Sequence, residues 1–250
     1  MVQIDDFFML SNAVPDISDE EYLKVNLLVD AFDAISRTTY ESLYIIDYHK
    51  KNFLYVSNNP LFLCGHTAKE VQQLGYAFYL SHVPKQEQVM LTEINRAGFD
   101  FFSKVPIVER INCTISYNFH LLNGKKKILI NHKLTPVQLT DDGKIWLAAC
   151  VVSLSSRDVG NIEMRKTDEK KIWKYSLESR HWKEEKGITL SEREKDILLL
   201  SAEGYTMNEI ADEISLSLDT IKFYRRKLFE KLNAKNIIEA VAIAANSKFI

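Results

Sequence analysis

LSEREKDILLLSAEGYTMNEIADEISLSLDTIKFYRRKLFEKL, residues 190–232, holds three helical patterns separated by short polar breaks. Thr189 or Ser191 can cap the first, and Glu194 stands three residues after Ser191, as a capping box requires. Gly204 ends it, the residue type suited to a left-handed C-cap. Thr206 and Glu209 repeat the box for the second pattern, and Ser217 or Asp219 can cap the third. The spacing predicts helices over 190–203, 206–214 and 218–233, with a fourth over 236–247. On a helical wheel Ile221, Leu228 and Leu232 fall within about 40° of one another, with Tyr224 and Arg225 flanking them. Lys222, Phe223 and Arg226 lie opposite, beside Asp219 and Glu230. A cationic run alone reads as a solvated face. Here a capped helix and a tight turn precede it, and in helix-turn-helix order the start of the second helix can reach base edges in a major groove. Tyr224, Arg225 and Lys227 then sit where phosphates run.

Upstream the texture changes. Residues 18–37 carry Tyr22, Val25, Leu28, Val29 and Phe32 at helical spacing. Two β-like runs follow, 42–47 and 53–57, joined by a loop short enough for a hairpin. Pro84 opens a helix through Val89, Leu91 and Ile94 that should fade near Gly98. After Pro106 come strand-like runs at 114–122, 127–134 and 145–154, punctuated by Asn123-Gly124 and by Asp141, Asp142 and Gly143. Two strands, a helical middle and three meandering strands make an α+β unit with one five-stranded antiparallel sheet. Residues 156–187 hold nine Lys/Arg and seven Asp/Glu. Ile162 and Met164 alternate there, as do Trp173, Tyr175 and Leu177, with Thr167, Asp168 and Glu169 between. A small connecting hairpin is the expectation, and an amphipathic linker helix the rival.

The C-terminal string resembles the LuxR-type DNA-binding domain. The matching pieces are LSERE at 190–194, AEG at 202–204, EIA at 209–211, TIK at 220–222, KL at 231–232 and EAV at 239–241. That resemblance implies a four-helix domain over 188–250 in which Lys222, Phe223 and Arg226 face bases, while Thr220 and neighbouring cations grip the backbone. It also implies double-stranded DNA as partner and homodimers paired through the fourth helix, where Ile238, Val241, Ala242 and Ala245 offer a partly apolar face that packing within the domain would use equally well. The chain departs from the pattern at Tyr224, Asn233 and Ile237, where His, Gly and Arg are frequent. The order of elements over 38–155, with YIID at 44–47, LCGHTAKEV at 63–71 and the last strand, resembles a PAS domain, a sensory fold whose helices cover one face of such a sheet. Residues 1–37 then form a helical N-terminal segment and 156–187 a connector.

Composition sets the bounds. The 250 residues are 46% hydrophobic and 26% charged, with a formal net charge of −2, so any nucleic-acid surface must be local. Residues 188–250 carry nine Lys/Arg against ten Asp/Glu; a monomer should bind weakly, and pairing should double its contacts. Three dispersed cysteines, no apolar run of membrane-spanning length and an acidic N-terminus point to a cytoplasmic protein. No Ser/His/Asp order and no phosphate-binding glycine loop is present, which speaks against an enzyme. Cys64, His66, His82, His120 and His132 show no metal-ligand spacing, so neither metal nor cofactor is expected. A small-molecule ligand of the PAS-like domain is left open, in a pocket of Phe53, Phe62, Leu63, Tyr76, Phe78 and Phe119 that reads equally well as core. Two rivals stand beside the regulator: an interaction adaptor, and a phosphorylated receiver using Asp5, Asp6, Asp47 and Lys104. Asp47 precedes a hairpin rather than a helix, against the βα alternation a receiver needs.

Overall fold

The computed structural model describes residues 2–155, 157–167 and 171–250, and the chain divides into two compact units, Met1–Glu185 and Lys186–Ile250. In the first, α1 (Asp19–Ser36) follows two 3-10 turns, and β1 (Ser42–Asp47) and β2 (Asn52–Val56) form a hairpin. Four helices come next: α2 (Pro60–Leu63), α3 (Ala68–Leu74), α4 (Ala77–His82) and α5 (Lys85–Lys104). A short α6 (Ile107–Arg110) leads into β3 (Cys113–Asn123), β4 (Lys126–Leu139) and β5 (Ile145–Leu154). These are the five expected strands, antiparallel in the order β2-β1-β5-β4-β3. The arrangement is α+β and PAS-like, and it excludes the receiver. Asp47 lies buried at the end of β1. There it accepts from the Tyr22 hydroxyl at 2.7 Å and from the His49 and Lys50 amides, a turn-forming role.

Three expectations need correction. The sheet does not stop at five strands. The hairpin expected in the connector is present as β6 (Gly160–Lys166) and β7 (Lys171–Ser176), but together with β8 (His181–Lys186) it extends the sheet beyond β3 instead of standing apart. β6 pairs with both β3 and β7; Asp168 and Glu169, expected between the two, lie outside the described residues. Alternation there turns Ile162, Met164 and Tyr175 into the core, while on the other face the buried Glu163 is paired with Arg157 and Arg165. Phe101 of α5 packs on Trp173 and Trp182 at 5.4 and 5.2 Å, and Trp182 Nε1 donates to the Ala97 carbonyl. These strands are held by α5 rather than tethered. Secondly, α5 runs through Gly98, because the absent side chain lets Ile115 come close; a Cβ there would meet its Cδ1 at 3.2 Å. Phe99 and Phe102 then continue the buried stripe. Thirdly, helices lie on both faces. Tyr44 and Ile46 of β1 enter the core under α2–α5, whereas Leu43 and Ile45 meet Val25, Leu28, Val29 and Phe32 of α1. Burial on both sides explains a strand with every residue buried.

The six aromatic and aliphatic residues considered as pocket lining are all buried core. A cavity among Tyr48, Ile94, Phe99, Ile115 and Tyr117 measures about 20 Å³, room for about one water. Deeper in, the Tyr44 hydroxyl bonds the Tyr79 hydroxyl and lies 2.5 Å from His132 Nε2, while His132 Nδ1 has no hydrogen-bond partner among the described residues. Burial pushes the His132 imidazole down to about 3. Its folded value lies below the unfolded one of about 6.5, so its contribution to stability is complete above that pH and is lost as the pH falls toward 3. Urea midpoints followed by tryptophan fluorescence should drop between pH 7 and pH 4, and His132→Gln should flatten the dependence. A flat wild-type profile would contradict this.

Candidate nucleic-acid interface

The second unit contains α7 (Glu192–Ala202), α8 (Met207–Glu213), α9 (Leu218–Leu232) and α10 (Ile237–Asn246). Ser191 caps α7 and Thr206 caps α8, each in a reciprocal box with Glu194 or Glu209. Ser217, rather than Asp219, caps α9 by accepting from the Thr220 amide. Gly204 takes φ +95°, the conformation its position was expected to need. The α8–α9 turn spans residues 214–217 and includes Ser215 at φ +53°, held by Leu216 N donating to Ala211 O at 2.9 Å. The second core joins Ile197, Leu198 and Ile210 to Ile221, Leu228 and Leu232, each almost wholly excluded from solvent. Asn233 closes α9 in the left-handed conformation, which an asparagine side chain tolerates. Ile237 packs against this core, so apolar contact stands where the family often has arginine.

One buried charge fixes the orientation of α9. The Glu194 carboxylate is buried and takes Lys231 Nζ at 2.7 Å as well as the Ser191 amide. Burial raises its proton affinity, but hydrogen bonds from Lys231 and Ser191 outweigh this and leave its pKa lowered. The start of α7 is thereby pinned to the end of α9.

With its apolar stripe inside, α9 presents the other side. Lys222, Phe223, Arg226 and Lys227 are exposed, and Thr220, Tyr224 and Arg225 are half-buried. Lys222 Nζ lies 3.1 Å from Asp219. Phe223 is 44% exposed, unusual for so large an apolar side chain, and cations gather around its ring. Lys227 Nζ stands 4.6 Å and the Arg226 guanidinium 5.9 Å from its centroid. Tyr224 meets it edge-on at 5.9 Å. The Arg225 guanidinium lies over Phe229; partial burial lowers its pKa without bringing it near neutrality. The Thr220 hydroxyl bonds that of Ser217 at 2.8 Å. On α10, Ala240, Ile243 and Ala244 turn inward, while Ile238 is 80% exposed and Ala245 is exposed beside half-buried Val241 and Ala242.

One pairing escaped the sequence. His66 and His82, sixteen residues apart in different elements, face each other with their Nε2 atoms 3.0 Å apart. No linear spacing rule detects ligands brought together by a fold. Among the described residues no cluster of three or more His, Cys, Asp or Glu could hold a metal, and no helix is long and apolar enough to cross a membrane.

Residues 188–244 match the sequence profile of the bacterial regulatory proteins, luxR family. The response regulator UvrY of Escherichia coli (strain K12) is 39% identical over 56 residues, which make up 22% of this chain and 26% of UvrY. The chain thus spans about a quarter of the length of the curated relatives it matches. Among solved structures, a phage VqmA–DPO complex overlays 94% of this chain and 92% of its own at 15% identity and a TM-score of 0.30. A PAS domain from Colwellia psychrerythraea overlays 54% of this chain and 99% of its own at 13% identity and a TM-score of 0.37.

Proposed function

We propose that this chain, with a LuxR-type helix-turn-helix following a PAS-like sheet unit, is a sequence-specific DNA-binding transcriptional regulator. One observation carries the reading: α9 buries Ile221, Leu228 and Leu232 completely while exposing Lys222 and Phe223 on its N-terminal half and Arg226 just beyond its midpoint. Lys222 and Arg226 would donate to guanine edges and Phe223 would lie against a thymine methyl. Thr220, Tyr224, Arg225 and Lys227 would hold the phosphates on either side. The unit carries no net positive charge, so two copies on adjacent half-sites are needed for useful affinity, and the Ile238–Ala245 stripe of α10 is the surface that pairs them. The sheet unit would govern that pairing, so that an input biases DNA affinity by linkage rather than by catalysis. This activity belongs to the cytoplasm.

Fluorescence anisotropy of the full chain on duplex DNA tests the reading. Two phosphate-directed cations per copy give about four neutralised phosphates per dimer, hence a slope of log K against log salt of about −3 to −4. Saturable binding with that slope is expected. No saturable binding at low salt would favour the interaction adaptor instead.

A further inference from the structure

We propose that His66 and His82 form a binding site for a divalent metal ion of the imidazole-preferring class, Zn²⁺, Ni²⁺ or Cu²⁺, seated between their Nε2 atoms. The site is independent of the DNA-binding reading. His66 is set by an unusual turn after α2: Cys64 and Gly65 both take left-handed conformations, at φ +51° and +91°. His82 is the last residue of α4. The two Nε2 atoms stand 3.0 Å apart with the rings crossed at 83°, and Phe78 lies beside both, 4.6 Å from the His82 ring and 6.4 Å from that of His66.

The proton arrangement is what makes this pair a site. His82 Nδ1 lies 2.8 Å from the Leu122 carbonyl oxygen. A carbonyl can only accept, so Nδ1 carries the proton and Nε2 is left with its lone pair. This is the outer hydrogen bond that orients metal-ligating histidines. Without metal, His66 Nε2–H donates to that lone pair. With metal, the proton on His66 moves to Nδ1 through solvent, and both lone pairs meet the ion with no redox step. Two metal–nitrogen bonds of about 2.0–2.1 Å at a tetrahedral angle separate their nitrogens by about 3.3 Å. A few tenths of an ångström therefore converts the hydrogen-bonded pair into a chelate. Among the described residues no third His, Cys, Asp or Glu joins them. Both rings are half-buried, so water completes the coordination.

Isothermal titration of the full chain with ZnCl₂ tests this, beside His66→Gln, His82→Gln and, as control, His181→Gln on β8. One saturable equivalent is expected for the wild type and for His181→Gln, with each site variant weakened at least about tenfold. Imidazole ¹H–¹⁵N spectra of the wild type should show two Nε2 resonances shifting together on saturation, a readout that loss of folding in a variant does not touch. No saturable binding up to about 1 mM Zn²⁺, or equal binding by all three variants with no paired shift, overturns the site.

Discussion

Replacing Lys222 and Arg226 together by alanine lowers affinity for the chain's preferred DNA site by about thirtyfold to ten-thousandfold for each half-site occupied. Each base-directed cation contributes about 1–3 kcal/mol of discrimination, and about 1.4 kcal/mol is a factor of ten. Both side chains are exposed, and the one ion pair described for them, Lys222 with Asp219, is a surface pair within one helix turn. Stability should therefore change by no more than about 0.5 kcal/mol, and an unchanged melting curve separates lost contact from lost fold. Arg225 and Lys227 variants behave differently: they weaken all sequences alike and flatten the salt dependence. Competition titrations on the preferred site and a scrambled duplex distinguish the two patterns. If the double variant keeps both affinity and preference, α9 is not the reading element.

The second large effect is structural. Leu228→Ala removes a side chain with no solvent exposure from the core that supports α9. Such truncations cost about 2–5 kcal/mol, against roughly 3–10 kcal/mol of total stability for a unit of this size. The C-terminal unit should melt on the order of 10–40 °C lower, and DNA binding at 37 °C should be lost with it. Calorimetry of the full chain checks this, since the tryptophans all lie outside residues 186–250 and fluorescence follows the sheet unit separately. A melting profile unchanged from wild type would mean that Leu228 does not hold the helix in place.

What the sequence revealed follows the range of the forces involved. Caps, turns and the sorting of α9 into an apolar and a cationic face depend on residues within a few positions of one another. Ser191 with Glu194, Thr206 with Glu209, and Gly204 were accordingly legible in advance. The five strands were legible from alternation and turn residues. The β6–β7 hairpin was legible as well, from the alternation of Ile162 with Met164 and of Trp173 with Tyr175; that it joins the sheet was not, because its inner face becomes core only against α5, where Ala97 lies 85 residues before Trp182. The same applies to α1: its apolar stripe was plain, but not that it covers the second sheet face at Leu43 and Ile45. Gly98 misled because a helix-weakening residue locally is a close-packing residue in three dimensions. His66 and His82 met through two left-handed backbone positions and a helix end, which no single-residue pattern encodes.

The central claim is that Lys222, Phe223 and Arg226 on α9 read a DNA sequence. Selection from a pool of genomic duplex fragments, run in parallel with the wild-type chain and with Lys222→Ala/Arg226→Ala, tests it most directly. The wild type should enrich a two-fold symmetric motif that the double variant fails to enrich. The same motif recovered by both proteins, or none recovered by the wild type, would contradict the account.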